Sequence, residues 1–407
     1  MAAEKAIAEK YSTWEGTMRE RDALKGILED NMDAFGPLEA GSVRGYEANF
    51  GRKPGEDVVG HRRPSRMSYH EDRMAREITQ ELLEKDIIEA RLSEVSSPVR
   101  MAPKPDGSLR MCINYYRINK ILKQIETPVP DLRKGINRLK HAKVYTTLDL
   151  KSGFWQIPLN ESCRYLTAFM VGMTTYVWKV LPMGLKCSPG LFQHAMTKML
   201  GKEYDDEATV TRLGSTEDYA FCYIDDIIIY SESMEKHVEH VQDVLRRISA
   251  FGLRLNAKKC DFAQRKIQYL GYEISEGRCA IAHEKRNYVA SMPMPKTRTD
   301  LHSFISLAQY YGEFIPGFAE RAAVVRKFLK QGVGDDPWPE EVTRVIAELK
   351  DEIAKDPRQG GRVLICRIGK SSLCSTRTRR HTRLERCFNK WTSPVGSCGP
   401  LCSSAGS

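Results

Sequence analysis

Two acidic residues stand where a strand would bury them. Asp225-Asp226 interrupts residues 221–230 (FCYIDDIIIY), an otherwise apolar run of strand-forming residues. A carboxylate taken out of water loses several kcal/mol unless a cation or hydrogen-bond donors replace its hydration. An exposed tight turn, cationic partners or a bound metal ion would each meet that cost. The chain supplies its own controls. Asp205-Asp206 lies in EYDDEA and Asp335-Asp336 in GDDPW, polar or glycine-rich settings where a solvated turn is sufficient. Only Asp225-Asp226 is framed by Tyr223-Ile224 and three isoleucines. A third carboxylate, Asp149, closes the alternating segment 144–150 (VYTTLDL). If that segment pairs with the 221–230 hairpin, three carboxylates meet at one edge of a sheet. Hard oxygen ligands of this kind suit Mg²⁺, with Mn²⁺ as a substitute, because the ion keeps waters and shares its shell with substrate phosphates. Two such ions about 3.5–4 Å apart activate an attacking hydroxyl and stabilise a leaving pyrophosphate.

The elements that must position these acids are legible from periodicity. Within 71–92, Met74, Ile78, Leu82, Ile87 and Ile88 recur near a 3.6 period and predict an amphipathic helix, ended by Ser96-Ser97-Pro98. Residues 99–115 predict two short strands around the turn Lys104-Pro105-Asp106-Gly107. Segment 144–150 predicts a half-buried strand. Val238, Val241, Val244, Leu245, Ile248 and Phe251 form a helical stripe closed by Gly252, and 335–355 predicts one more helix. Strands arriving as hairpins among helices give an α+β class rather than a parallel α/β sheet.

Composition bounds the rest. A chain of 407 residues, 41% hydrophobic and 29% charged, has room for two or three compact units. No run of about 18 uncharged apolar residues exists, so no membrane span is expected. The opening MAAEKAIAEK carries two Glu and no apolar core, unlike a signal or transit peptide, which leaves a cytoplasmic or nuclear, non-secreted protein as the expectation. The net charge of +10 is concentrated: residues 358–407 hold ten Lys/Arg against one Glu, leaving +1 for residues 1–357. Eleven cysteines with no C-x-x-C spacing argue for neither a zinc site nor a disulfide framework.

The chain resembles the reverse transcriptase of gypsy-type LTR retrotransposons, part of a retroviral-like pol polyprotein. The resemblance runs from about Arg63 to Gly332 and rests on motifs in the family's order: Ser97-Pro98-Val99 with KPDGSLRMCINYYRINK, TTLDLKSGFWQIPL, TAF, LPMGLKCSPGLFQ, YIDD, LRLNAKKC and YLGY. It implies a right-hand polymerase of fingers, palm and thumb, with a palm of antiparallel sheet packed on helices. It also implies RNA-directed DNA polymerisation on an RNA or DNA template with primer and dNTPs. Asp149, Asp225 and Asp226 match the metal-binding catalytic aspartates. Lys104 and Arg110 match the fingers cations that hold the triphosphate, and Phe154 the aromatic gate against a ribose 2′-hydroxyl. Met183 falls where relatives place a residue beside the nucleotide. Leu270, Gly271 and Tyr272 match the hairpin gripping the primer end, with Lys258 and Lys259 on backbone phosphates. Solvated charges for Lys104, Arg110, Lys258 and Lys259, and ordinary packing for Phe154 and Met183, are the competing readings.

Composition and periodicity give a polar leader over 1–70, a helix within 334–357 and a basic, Cys-rich, disordered or out-of-frame tail over 358–407. The resemblance implies fingers and palm over 71–281, thumb and connection start over 282–333, and a remnant of the link to RNase H over 334–357. Departures accompany it. Relatives read V-D-Y-R where this chain has Ile113-Asn114-Tyr115-Tyr116, with Arg117 one place late, so an expected ion pair is gone. An acidic stretch from Glu203 to Glu207 lengthens the approach to the YIDD hairpin as a surface loop. No protease, RNase H or integrase signature is recognised. An inactive relic that only binds nucleic acid is the alternative.

Overall fold

The computed structural model describes residues 2–56, 65–104, 107–125, 138–201, 216, 218–330, 337–357 and 361–365. The chain divides into two compact units, one of residues 1–135 with 142–265 and one of 136–141 with 266–407.

In the first unit the helix Tyr69–Glu84 opens with a capping box in which Ser68 and Glu71 satisfy each other's backbone N–H groups. It stops short of the predicted end. Asp86 takes a left-handed φ of 55°, and β1 (Ile88–Ala90) follows. Ile87, just before β1, and Ile88, its first residue, are both buried there, and a strand suits the branched Ile88 side chain better than a helix surface does. Strands β2 (Val99–Pro103) and β3 (Leu109–Ile113) form the expected hairpin. β4 (Val144–Asp149) comes next, then β5 (Phe169–Val171) and β6 (Thr174–Trp178), which join β1 in the order β1-β6-β5.

The central sheet is antiparallel, in the order β7-β8-β4-β9, with β7 at Ala220–Tyr223, β8 at Asp226–Ser231 and β9 at Asp261–Gln264. β4 keeps the alternation that predicted a half-buried strand: Val144, Thr146 and Leu148 are buried on one face, and Thr147 and Asp149 are partly exposed on the other, where Tyr145 is buried. Its polar Thr146 is accommodated by the buried His237 ring, 2.7 Å from Oγ1, and by the Ala263 N–H at 3.0 Å. His237 belongs to the helix Met234–Phe251, which ends at Gly252 with φ 83°. A Cβ at Gly252 would lie 2.1 Å from the Ser42 carbonyl oxygen, so only glycine fits this close approach.

The expected polar leader is a correction. Its helices Ala2–Lys10 and Met18–Asp30 place Ile7, Leu24 and Leu28, with Trp14 from the connection between them, in the same core as β4 and β8. Each fully buried leucine is worth about 1.5–3 kcal/mol. The period was diluted by charged residues on the outer faces, which hid the apolar stripe. Asn114 and Tyr116, the departures from the family pattern, are locally satisfied. The Asn114 side chain accepts the Tyr116 N–H at 3.0 Å, and buried Tyr115 donates its hydroxyl to the Thr167 carbonyl at 2.9 Å.

The second unit holds β10 (Lys266–Tyr269), β11 (Tyr272–Ser275), β12 (Arg278–Ile281) and β13 (Leu364–Ile365) in that sheet order. The helices His283–Ser291, Arg298–Tyr310, Phe318–Lys330 and Glu340–Ala354 accompany it. The division between units at 265/266 replaces the expected one at 281/282, since β10–β12 form one continuous hairpin sheet. The acidic stretch 203–207 and, apart from 361–365, the tail lie outside the described residues.

Candidate active site

β4 and β8 pair from Val144↔Ser231 to Asp149↔Asp226. Residues directly opposite in an antiparallel ladder project from one face, with Cβ atoms about 4.5–5.5 Å apart. Asp149 and Asp226 therefore stand side by side on the two central strands. Asp225 lies in the two-residue turn that joins Tyr223 to Asp226. The pairing on which convergence of the three acids depended is present.

The turn is strained. Ile224 carries a φ of 56°, a region branched residues avoid at a cost of about 1–3 kcal/mol. Gln193, on the helix Ser188–Met199 and 1% exposed, holds it. Its Oε1 accepts the Ile224 N–H at 2.7 Å, while its Nε2 donates to the Cys222 carbonyl at 3.4 Å. One buried amide thus grips the hairpin on both sides of Tyr223. Sequence reasoning quoted this glutamine inside a motif and gave it no role. Its signal was a polar amide among Leu191, Phe192, Ala195 and Met196, the same oddity that exposed Asp225-Asp226.

Electrostatics follows from this crowding. Burial pushes the Asp226 carboxyl up to about 7, and repulsion from Asp225 and Asp149 adds to it. Asp225 is also raised, first by the protein atoms around its carboxyl and then by Asp149. Asp225 itself is exposed in the turn. Lys259 opposes both shifts. Its Nζ lies 3.4 Å from Asp149 Oδ2, and its side chain is 66% exposed. This largely solvated ammonium offsets part of the charge at Asp149. Among the described residues no three His, Cys, Asp or Glu side chains close on a common metal position. Mg²⁺ needs only one or two carboxylates, with waters and substrate phosphates completing its shell, so the donor set fits a divalent cation.

The remaining sequence candidates fall in several places. Lys104 and Arg110 share one face of the β2–β3 hairpin by strand alternation, with Lys104 N–H bonded to the Ser108 carbonyl at 2.7 Å. Phe154 is half-buried and stacks on buried Phe192 at 4.7 Å between ring centroids. Met183 is 61% exposed, so packing does not occupy it. Lys258 lies in the turn before β9, its carbonyl accepting Lys10 Nζ at 3.0 Å. Leu270 and Gly271 form the β10–β11 turn in the second unit, both with positive φ, the pairing that suits a tight hairpin. Tyr310 donates its hydroxyl to the Leu270 carbonyl at 2.8 Å, and Tyr272 stacks on Tyr310 and Phe314.

A group of cations was also missed. Arg52, Lys53, Arg117, Lys120, Lys123 and Lys186 are exposed, and among the described residues none pairs with a carboxylate. Backbone contacts gather them. Lys186 Nζ bonds the Leu122 carbonyl at 2.6 Å, Lys53 Nζ the Lys120 carbonyl at 3.1 Å, and Asn119 bridges the Gly184 carbonyl and Lys186 N–H. Lys120 rests over the exposed Tyr116 ring at 4.5 Å. Scattered over 52–186, they form no charge run that a sequence scan would flag.

Comparison with known proteins bears on this arrangement. Residues 102–274 match the family described as reverse transcriptase (RNA-dependent DNA polymerase). The Tf2-3 polyprotein of Schizosaccharomyces pombe is 30% identical over 260 residues, which is 64% of this chain and 18% of that protein. The Tf2-7 polyprotein of the same yeast is 29% identical over the same span. The chain thus spans less than a fifth of the curated relatives it matches. Among solved structures, a foamy viral protease-reverse transcriptase in complex with double-stranded DNA superposes with a TM-score of 0.72 at 22% identity. The match covers 87% of this chain and 60% of that one. The same viral protein with an RNA/DNA hybrid gives 0.70 at 21% identity, covering 87% and 46%. These likenesses carry the fold, an α+β right-hand polymerase. Residues 102–274 thus match the reverse transcriptase family, and the relatives to which the chain is similar are transposon polyproteins.

Proposed function

We propose that the chain is an RNA-directed DNA polymerase, a nucleotidyltransferase that extends a primer 3′ end with dNTPs on an RNA or DNA template. The observation that carries the reading is the register Asp149↔Asp226 with Asp225 in the adjoining turn, in a domain of this family. Asp149, Asp225 and Asp226 would hold two Mg²⁺ or Mn²⁺ ions, which when bound supply activation of the 3′-hydroxyl and neutralisation of the triphosphate. The chain's own residues do the rest. Gln193 fixes the turn so that the acids are presented without reorganisation. Lys259 balances part of their charge at Asp149. Lys104 and Arg110 on one hairpin face suit triphosphate oxygens. Phe154, backed by Phe192, offers a rigid aromatic surface to the sugar. The cation group from Arg52 to Lys186, with exposed Tyr116 and Met183, suits template phosphates and an unstacked base. In the second unit, Leu270, Gly271 and Tyr272 are proposed for the primer end.

The six described cysteines are free, which suits a reducing compartment and supports a cytoplasmic or nuclear address. Among the described residues no helix is long and apolar enough to cross a membrane. Primer extension on an RNA template with Mg²⁺ tests the reading. The wild-type chain should incorporate dNTPs and Asp225→Asn should lose activity by several orders of magnitude. Equal activity in the two proteins excludes this site. Salt-dependent binding of template–primer with no incorporation leaves a nucleic-acid-binding relic.

A further inference from the structure

We infer that Lys10, on the amino-terminal helix Ala2–Lys10, is a positioning residue for the carboxylate cluster: it anchors the turn that carries Lys259 onto Asp149. The inference rests on the polymerase reading for its catalytic consequence, though not for its structural one.

The Lys10 ammonium has three donors and three acceptors. It bonds the Lys258 carbonyl at 3.0 Å, the Cys260 carbonyl at 2.7 Å and Asp261 Oδ1 at 2.9 Å. Those acceptors bracket Lys259 in the chain. Its side chain is 28% exposed, so the contacts are partly shielded from water, and charge-assisted bonds of this kind are about twice as strong as neutral ones. The opposite side of the turn is tied to the catalytic strand. Asn256 N–H donates to the Asp149 carbonyl at 2.9 Å, and Lys259 N–H to the Asn256 carbonyl at 2.9 Å. The turn 256–260 is therefore held between Asp149 and a lysine 250 positions away from Cys260. Neighbouring contacts reinforce the clamp. Glu15 N–H donates to the Ala263 carbonyl at 2.8 Å, Gln264 Nε2 to the Thr13 carbonyl at 3.3 Å, and Arg265 pairs with Glu15 at 2.9 Å. The amino-terminal segment thus lines the outer side of β9.

The consequence is geometric. Lys259 is two-thirds exposed and has four rotatable carbons, so its position over Asp149 depends on where its backbone is held. Release of the Lys258 and Cys260 carbonyls frees that backbone without touching any of the three acids. Misplacement of a reacting or charge-balancing group by a fraction of an ångström is enough to slow chemistry about tenfold.

The test is a cycle in the full chain using Lys10→Met, Lys259→Met and the double variant. Single-turnover incorporation should fall about tenfold in Lys10→Met, with the KM for dNTP and the affinity for template–primer within about twofold of wild type. The double variant should be no slower than Lys259→Met alone, because Lys10 acts through Lys259. Lys10→Arg, which keeps a charged multi-donor head, should restore most of the rate. Additive losses in the double variant, or a full rate in Lys10→Met, overturn the inference. Hydrogen exchange provides an arm independent of activity. Backbone amides of 256–260 should lose protection in Lys10→Met while those of β4 and β8 keep theirs. Unchanged protection at 256–260 also overturns it. If Lys10→Met does not fold, Asp261→Asn removes the one charged acceptor of the three and should give a smaller loss of the same kind, and no loss refutes the clamp. A wild-type chain with no incorporation refutes the polymerase reading, and the exchange result then decides the clamp by itself.

Discussion

Asp226→Asn should stabilise the metal-free protein at neutral pH while abolishing catalysis. The folded carboxyl sits at about 7 against an ordinary value of 3.8. A carboxyl raised on folding binds its proton more tightly in the native chain than in the unfolded one. The native state is therefore penalised progressively as pH climbs from about 4 through about 7, and the penalty is complete above that window. About three pH units at about 1.36 kcal/mol each set a ceiling near 4 kcal/mol. Asp226 is only partly buried and its neighbours relax, so about 2 kcal/mol is the expected gain on substitution. At about 2–4 °C per kcal/mol for a domain of this size, the Tm should rise by about 4–8 °C at pH 8. Thermal unfolding in EDTA from pH 4 to pH 8 measures it. The gap between variant and wild type should open with rising pH and be nearly absent at pH 4. Millimolar Mg²⁺ should raise the wild-type Tm and close much of the gap, because a cation relieves the same repulsion that the substitution removes. Equal Tm values at pH 8 without metal refute the reasoning, as does a gap that is the same at every pH.

His237 makes the opposite contribution. Burial, with a smaller effect of His240, pushes its ring down to about 3 between Thr146 Oγ1 and Ser231 Oγ. Its unfolded form takes up a proton as pH drops below about 6.5, so stability is lost on acidification at about 1.36 kcal/mol per unit, about 2 kcal/mol by pH 5. His237→Asn should flatten that slope in urea unfolding, and an unaltered slope argues against it. Gln193→Leu should cost about 1–3 kcal/mol in chemical denaturation by leaving the Ile224 N–H unpaired, and should slow incorporation without weakening template–primer binding. Gln193→Glu should be slower still, since it adds a buried negative charge beside the turn. Lys186→Ala should weaken template binding and lower the salt slope of log K by about one, with no change in the slope removing Lys186 from the phosphate contacts.

How much of this was legible follows from the range of each interaction. The hairpins, the helix closed at Gly252 and the α+β class came from periodicity and turn chemistry, which act over a few residues. The three aspartates were legible because an ionised group in an apolar strand is costly wherever the strand goes. Gln193 carried the same signal and passed unread, since an amide costs less to bury than a carboxylate. The end of the helix at Glu84 rather than near Leu92 was not legible. Ile87 and Ile88 satisfy a helical period and a strand equally, and pairing with Trp178 and Lys179 decided between them.

The sequence by itself determined that two adjacent acids inside an apolar run need a solvated turn, cationic partners or a metal ion, because desolvation is a local cost. Tertiary structure alone decided that Asp149 faces Asp226, that Lys259 sits on Asp149, and that the amino-terminal helix reaches the turn behind Lys259. Strand register and the approach of residues 250 positions apart are settled by the packing of the whole core, and no local pattern records them.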